Sequence, residues 1–343
     1  MKIGDKMIKK IYSYLVEFIQ EEYKFIIFLI FLYILFQVPV NYYIITGGGT
    51  SDVSSRIEVE EKHKSKGSFN LSYVTELKGT IITYALSYVI PTWEREDANL
   101  YKYDKEESIK DIEFRSDLDL LTANGNATYW AYSLAKKKVE EKSSKIYIIM
   151  TDKKYETPLK VGDEIVSVDN NSYSSVEEYR DYFQTKTEKD KVKVKIIRNK
   201  KEKEVEAPLY KVEDRIILGV GLQYVREYKT NPKINIKFRS SESGPSGGLI
   251  TTLEIYNQLT KKDITHSKKI AGTGTIEFDG TIGEIGGVEH KLLGAASDHA
   301  DIFLVPSGQN YKDALKYKKD KKLKIKLIEV KTIQDALEKL DDI

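Results

Sequence analysis

The residues best placed to do chemistry lie in the last third of the chain. Ser243-Gly244-Pro245-Ser246-Gly247-Gly248 runs directly into LITTLEIYNQLT, an apolar-rich stretch with helical spacing. Glycine and proline ahead of a helix make a tight turn, and Ser246 falls at the first residues of the helix. Free backbone N–H groups and the positive end of the helix dipole face a hydroxyl there. Such donors suit the oxyanion of an acyl-transfer transition state, and they equally suit an ordinary capping serine. On the first reading Ser246 is the nucleophile, and Gly244, Pro245, Gly247 and Gly248 form the turn and the oxyanion side. A hydroxyl nucleophile needs a base, and His63, His266, His290 and His299 fall into no triad pattern. Beginning at Gly286, the text Gly286-Gly287-Val288-Glu289-His290-Lys291-Leu292-Leu293-Gly294-Ala295-Ala296 reads as a Gly-Gly turn into an apolar helix. A lysine facing inward at the start of that helix loses solvation. This disfavours the ammonium and frees the amine to take a proton from serine, the logic of Ser-Lys dyads. The competing reading is a surface lysine, as Lys261, Lys262, Lys268 and Lys269 are.

Composition excludes other chemistries. The chain has no cysteine, which removes thiol nucleophiles, disulfides and thiolate metal sites together. It has no HExxH and no GxxxxGK[ST], so neither a metal site nor a P-loop is expected, and no cofactor. The 55 Lys and Arg against 53 Asp and Glu leave no concentrated basic footprint for nucleic acid. With 41% apolar and 31% charged residues, the 343-residue chain has room for two domains beyond any anchor.

The elements ahead of the site are legible in outline. GSFNLSYVTELKGTIITYALSYVI, from Gly67, alternates like strand. Leu118 to Val139 is spaced like a helix, weakened at Gly125. Lys145 to Tyr210 reads as a compact β-rich module. KIYIIM is a strand, Gly162-Asp163 turns into the next, and Ser174-Ser175 opens a helix with carboxylates in its first turn. KVKVKIIR and KEVEAPLY then form a hairpin. The order strand, xxGDxIxxVDxxx, helix, strand, turn, strand resembles the PDZ domain of bacterial proteases over about 65 residues. PDZ domains take an extended peptide end along a sheet edge. On that likeness the candidate peptide site is Lys145, Ile146, Tyr147, Gly162 and Asp163; a spacer packed on the catalytic domain is the alternative.

The catalytic third resembles the proteolytic domain of Lon proteases. GPSGG is similar to the family's GPSAG, with its serine at Ser246, and GGVEHKLLGAA to the element whose catalytic lysine falls at Lys291. Ala271-Gly272-Thr273-Gly274 matches the strand end whose threonine hydroxyl holds that lysine, so the resemblance implies Thr273 as lysine-orienting residue. Ile302 to Pro306 and the Thr332–Leu337 segment match the elements that follow. Gly247 stands where the family has Ala, and Ser243 where Lon has an acidic residue.

Toward the amino end, Phe25 to Phe36 is unbroken apolar text, and no charge appears from Phe25 to Ser51. That length suits a membrane crossing, with Tyr42 and Tyr43 at the far interface. Lys2, Lys6, Lys9, Lys10 and Lys24 place the N-terminus in the cytoplasm. The expected organisation is a cytoplasmic tail at 1–22, a transmembrane helix at 23–45, and an outer region at 46–142 with strands and a helix. A PDZ-like domain at 143–211 and a Lon-type protease domain at 212–343 follow. The expected fold class is α+β. This layout resembles the membrane-bound, PDZ-containing Lon-related proteases of Gram-positive bacteria (YlbL/SepM-like). The resemblance implies an ATP-independent serine endopeptidase acting outside the cell membrane on exported peptides or proteins. The rival expectation is a catalytically silent PDZ scaffold at the membrane surface. The oligomeric state is left open.

Overall fold

The computed structural model describes residues 2–104, 107–237 and 242–343, with side chains from residue 7 onward. In chain order the elements begin with α1 (Lys2–Gln37), β1 (Pro39–Asp52), β2 (Ile57–Val59), β3 (Ser68–Thr80), α2 (Ile81–Leu86), β4 (Glu94–Asp97) and α3 (Ile109–Leu134). Then come β5 (Lys138–Thr151), β6 (Glu164–Val168), α4 (Val176–Gln184), β7 (Lys191–Arg198), β8 (Lys201–Pro208), β9 (Tyr210–Val212), β10 (Arg215–Ile217), β11 (Val220–Asn231) and β12 (Ile234–Ile236). The last part holds α5 (Gly248–Leu259), β13 (Lys269–Gly272), α6 (Val288–Ser297), β14 (Ile302–Pro306), α7 (Gln309–Asp320), β15 (Lys326–Val330) and α8 (Ile333–Asp341). The chain divides into two units, residues 1–46 with 75–100 and residues 47–74 with 101–343, and the division falls inside β1 and β3.

The first unit corrects the expected membrane helix at 23–45. α1 ends at Gln37, because Pro39 biases the residue before it away from helical geometry. Beyond it the β-branched and aromatic run Val40 to Ile45 is strand. Tyr42 to Ile45 pair antiparallel with Glu94 to Asp97 of β4, and Ile44 and Ile45 are buried. The charge-free text was thus two elements of different period. The apolar helical part, Phe25 to Phe36, spans only about 18 Å at the helical rise, against a hydrocarbon core of about 30 Å. No helix among the described residues is long and apolar enough to cross a membrane. The strand-like reading also breaks at Thr80, whose hydroxyl caps α2 in a reciprocal capping box with Thr83.

The second unit holds two cores. In one, β3, β13, β14 and β15 run parallel, in the order β15-β14-β13-β3. A parallel sheet is covered on both faces, which is why IFLVP of β14 is apolar without alternation. Side-chain alternation then sorts the faces. Phe69, Ile270, Ile302 and Leu304 pack with α5, α8 and part of α3. Ala271, Phe303 and Val305 pack with Val288, Leu292 and Ala295 of α6 and Ala314 of α7. The serine-bearing and lysine-bearing helices therefore cover opposite faces of one sheet. The other core lies under the antiparallel sheet β11-β5-β6-β7-β8 and α4, around Ile148, Tyr179, Val194 and Ile196. Its β5 pairs with β11 over its whole length, from Lys138 opposite Asn231 to Thr151 opposite Val220, so the β-rich module takes in residues well past Tyr210. The glycines at 47–49 continue β1.

Candidate active site

The Ser246 turn is held on three sides. Before it, the Gly244 N–H, in a left-handed conformation at φ 79°, donates to the Ser116 carbonyl of α3 at 3.0 Å. After it, the Gly248 N–H closes onto the Pro245 carbonyl at 3.1 Å. Alongside it, the Ser246 carbonyl accepts from the Gly274 N–H at 2.9 Å and from the Thr273 hydroxyl at 3.1 Å, while the Leu249 N–H donates to the Gly274 carbonyl at 3.1 Å. The carboxyl end of β13 is thus knitted to the start of α5. Gly248 is required by this contact, because a Cβ there would lie 2.5 Å from Ile276 Cγ2 and 2.8 Å from its backbone nitrogen. At Gly247 the place of a methyl group is bordered by Leu71, whose Cδ1 would lie 3.1 Å away. Leu71 thus packs directly against the turn at Gly247.

Lys291 sits in the first turn of α6, only 5% exposed, with its N–H bonded to the Gly287 carbonyl at 3.0 Å. Gly287 opens the helix in a left-handed conformation at φ 66° that favours glycine. The far end of α6 is fixed as closely. A Cβ on Gly294 would lie 3.0 Å from Gly49 Cα and 3.1 Å from the Gly48 carbonyl carbon, so helix and β1 backbone touch. Asp298 accepts from the Thr50 N–H at 2.6 Å and its hydroxyl at 2.8 Å, bonds that hold its carboxyl below the usual range. Both helix starts border β3: Gly247 lies against Leu71, and Gly287 against Val74, whose Cγ1 would be 3.3 Å from an added Cβ. These two strand residues are about 10 Å apart and point to opposite faces, at the sheet end where Thr273 follows β13. Thr273 is fully buried, and its single proton is committed to Ser246, which leaves its lone pairs to accept from a nitrogen donor.

One buried acid was missed. Glu254 lies in α5 at 3% exposure, and Gln258 Nε2 donates to it at 2.7 Å. Burial, countered by that bond and reinforced by Asp52, raises its pKa to about 7. A lone carboxylate amid LITTLEIYNQLT was the available signal.

In the antiparallel module the expected binding strand is displaced. Lys145, Ile146 and Tyr147 lie on β5, opposite Val225, Tyr224 and Gln223 of β11, and Ile146 and Tyr147 also face β6. Strand addition there is closed; the edges are β11 and β8. Lys145 Nζ and the Tyr147 hydroxyl instead meet Glu164 at 3.1 and 3.3 Å. Gly162 turns at φ 91°. Asp163, 1% exposed, takes a bidentate pair from Arg198 at 2.6 Å for each bond, so its place in the module is structural. α4 lies against β10, where Gln184 exchanges two hydrogen bonds with Ile216, at 2.9 and 3.0 Å, just ahead of Gly219 at φ 72°, and it also contacts β11.

Comparison with known proteins agrees with both cores. Residues 235–341 match the Lon protease (S16) C-terminal proteolytic domain, and residues 138–209 match a PDZ domain. Lon protease of Neorickettsia sennetsu is 34% identical over 98 residues, 29% of this chain and 12% of that protein. The peroxisomal Lon protease homolog 2 of Kluyveromyces lactis is 35% identical over 94 residues, 27% and 9% respectively. The similarity therefore spans about a tenth of the length of these relatives. The PDZ domain of an SdrC-like protein from Listeria monocytogenes shares 24% identity, covering 22% of this chain and 85% of that one, with a TM-score of 0.21. The chain joins a PDZ domain to a Lon C-terminal proteolytic domain, the make-up of a PDZ-containing Lon-like protease.

Proposed function

We propose that the chain is a serine endopeptidase with Ser246 as nucleophile and Lys291 as general base. One observation carries this reading: the end of β13 is bonded to the Ser246 turn through Thr273 and Gly274, while Lys291, on the opposite face of the same sheet, is withdrawn from solvent at its start of α6. The amine takes the Ser246 proton as Oγ attacks the scissile carbonyl, and it returns that proton to the leaving amine. Water, deprotonated by the same amine, then releases the acyl group. Thr273 accepts from the lysine nitrogen and orients it. Gly248 and Gly244 have committed their N–H groups, and Pro245 has none, so the proposed oxyanion donors are the N–H groups of Ser246 and Gly247. The test uses the full chain on a fluorogenic peptide library. Ser246→Ala and Lys291→Met each lower cleavage by several orders of magnitude, and parent-like rates in both would refute the assignment.

The chain works without ATP, in keeping with a sequence that has no P-loop. Peptide ends add along β11 beside α4, where the edge is nearest the helix. Lipid surrounds the apolar part of α1, since Ile27, Phe28, Leu29 and Ile30, successive positions that face every side of the helix, are each about half exposed. An apolar part of about 18 Å enters the bilayer without crossing it, and the substrates are exported peptides or proteins met at that surface. Flotation with lipid vesicles tests the membrane reading: the full chain floats, and Phe28→Asp with Ile30→Asp remains at the bottom.

A further inference from the structure

We infer that Arg56 and Glu242 are positioning residues for the nucleophile turn, a role that rests on the function proposed for Ser246. Arg56 lies in the link between β1 and β2, far from the turn in sequence. Its backbone is fixed from the core outward. The Val53 N–H donates to the Phe69 carbonyl of β3 at 3.2 Å, Val53 is 3% exposed, and the Arg56 N–H donates back to the Val53 carbonyl at 3.0 Å. From that fixed point Arg56 holds two places on the chain leading to Ser246. Its carbonyl accepts from the Lys237 N–H at 2.9 Å, just past β12, which itself pairs with β2. Its guanidinium pairs with the Glu242 carboxylate, four residues before the nucleophile. The two side chains are 12% and 23% exposed, so the pair is shielded from water.

Such a pair is a poor device for stability alone, since shielding two charges offsets much of their attraction. Its value here is geometric. The turn has no regular structure from Glu242 to Gly247; its hydrogen bond at Gly244 ties it to α3, and those at Ser246 tie it to the residues that follow β13. The Arg56 pair adds a third tether, from β3, on the upstream side. The acidic side chain is also turned onto a fixed cation of its own. A misplacement of about 1 Å at a nucleophile can cost on the order of 100-fold in rate, so the tether acts on turnover rather than on substrate affinity.

The experiment compares the full-length parent with Arg56→Gln, Glu242→Gln and the exchange Arg56→Glu with Glu242→Arg. Backbone hydrogen exchange over residues 243–249 is read alongside peptidase kinetics. Each single variant speeds exchange at 243–249 at least 10-fold, leaves α6 and β14 unchanged, lowers kcat about 10- to 100-fold and leaves KM within about 3-fold. The exchanged pair recovers part of both losses. Unchanged exchange at 243–249, or acceleration spread evenly over α6 and β14, overturns the inference. If the parent shows no Ser246-dependent cleavage, the proposed function fails, while hydrogen exchange alone still decides whether the tether exists. Glu242→Gln keeps the shape of the side chain, and it settles the outcome should Arg56→Gln fold poorly.

Discussion

Glu254 should make the fold lose stability as pH rises from about 4.5 to about 7. Its carboxyl is 3% exposed in α5 and bonded by Gln258, whose amide also donates to the Ile57 carbonyl at 3.0 Å and accepts from the Val59 N–H at 3.3 Å. Burial moves its pKa from 4.5 in the unfolded chain to about 7. Because the folded value is the higher one, the proton is held more tightly in the fold. Below pH 4.5 both states are protonated and nothing is lost, whereas above pH 7 both are ionised and the full cost of a buried carboxylate is present. At 1.36 kcal/mol per pH unit between the two values, the cost grows from about 1 kcal/mol at pH 5 to about 3 kcal/mol at pH 8. Glu254→Gln removes the charge and keeps an oxygen for the Gln258 donor. Urea denaturation in a Ser246→Ala background, which prevents self-cleavage, should show the Gln variant gaining about 2 kcal/mol on its parent between pH 5 and pH 8. Groups common to both proteins cancel in that difference. Equal pH dependence in the two proteins would refute the reasoning, since it would mean that the carboxyl ionises in the fold as readily as in the open chain.

The glycines of the site make graded tests. Gly247→Ala needs only the tip of Leu71 to give by a few tenths of an ångström, and it should cost under about 1 kcal/mol and keep most peptidase activity. Gly248→Ala presses on the backbone of Ile276 and should cost about 2–3 kcal/mol and lose cleavage, read by thermal denaturation and peptide hydrolysis. Gly294→Ala meets the Gly48–Gly49 backbone and should displace α6, costing about 1–3 kcal/mol and lowering kcat more than it raises KM. Arg198→Ala leaves Asp163 charged and buried, and should destabilise the PDZ domain by about 3–5 kcal/mol in denaturant titrations.

What could be seen in the sequence was what short-range chemistry writes. The Ser246 turn, the Gly-Gly start of α6, the β14 run and the capped helix at Ser175 each carry their signal within a few residues, and each lies where its text suggests. The membrane segment was misjudged because apolar content was read without period: a 3.6-residue helix and a two-residue strand were joined across Pro39 into one span. The PDZ edge was misjudged for a different reason. β5 looks like a lone strand in the text, and the partner that buries one side of it, β11, begins beyond Tyr210, where the module seemed to end.

The contacts that position the nucleophile were invisible for the same reason that β11 was. Leu71, Arg56 and Ser116 reach the Ser246 turn from β3, the β1–β2 link and α3, each more than a hundred residues away, and no local pattern marks them. A motif records which groups react, while the orientation that makes them react is supplied by elements whose own sequences are shaped by packing. In this chain that supply runs through β3, which borders the start of α5 at Leu71 and the start of α6 at Val74. The two motifs can cooperate because one strand sets the spacing of both. A substitution in β3 that shifts Leu71 relative to Val74 should therefore uncouple serine from lysine while leaving each motif intact.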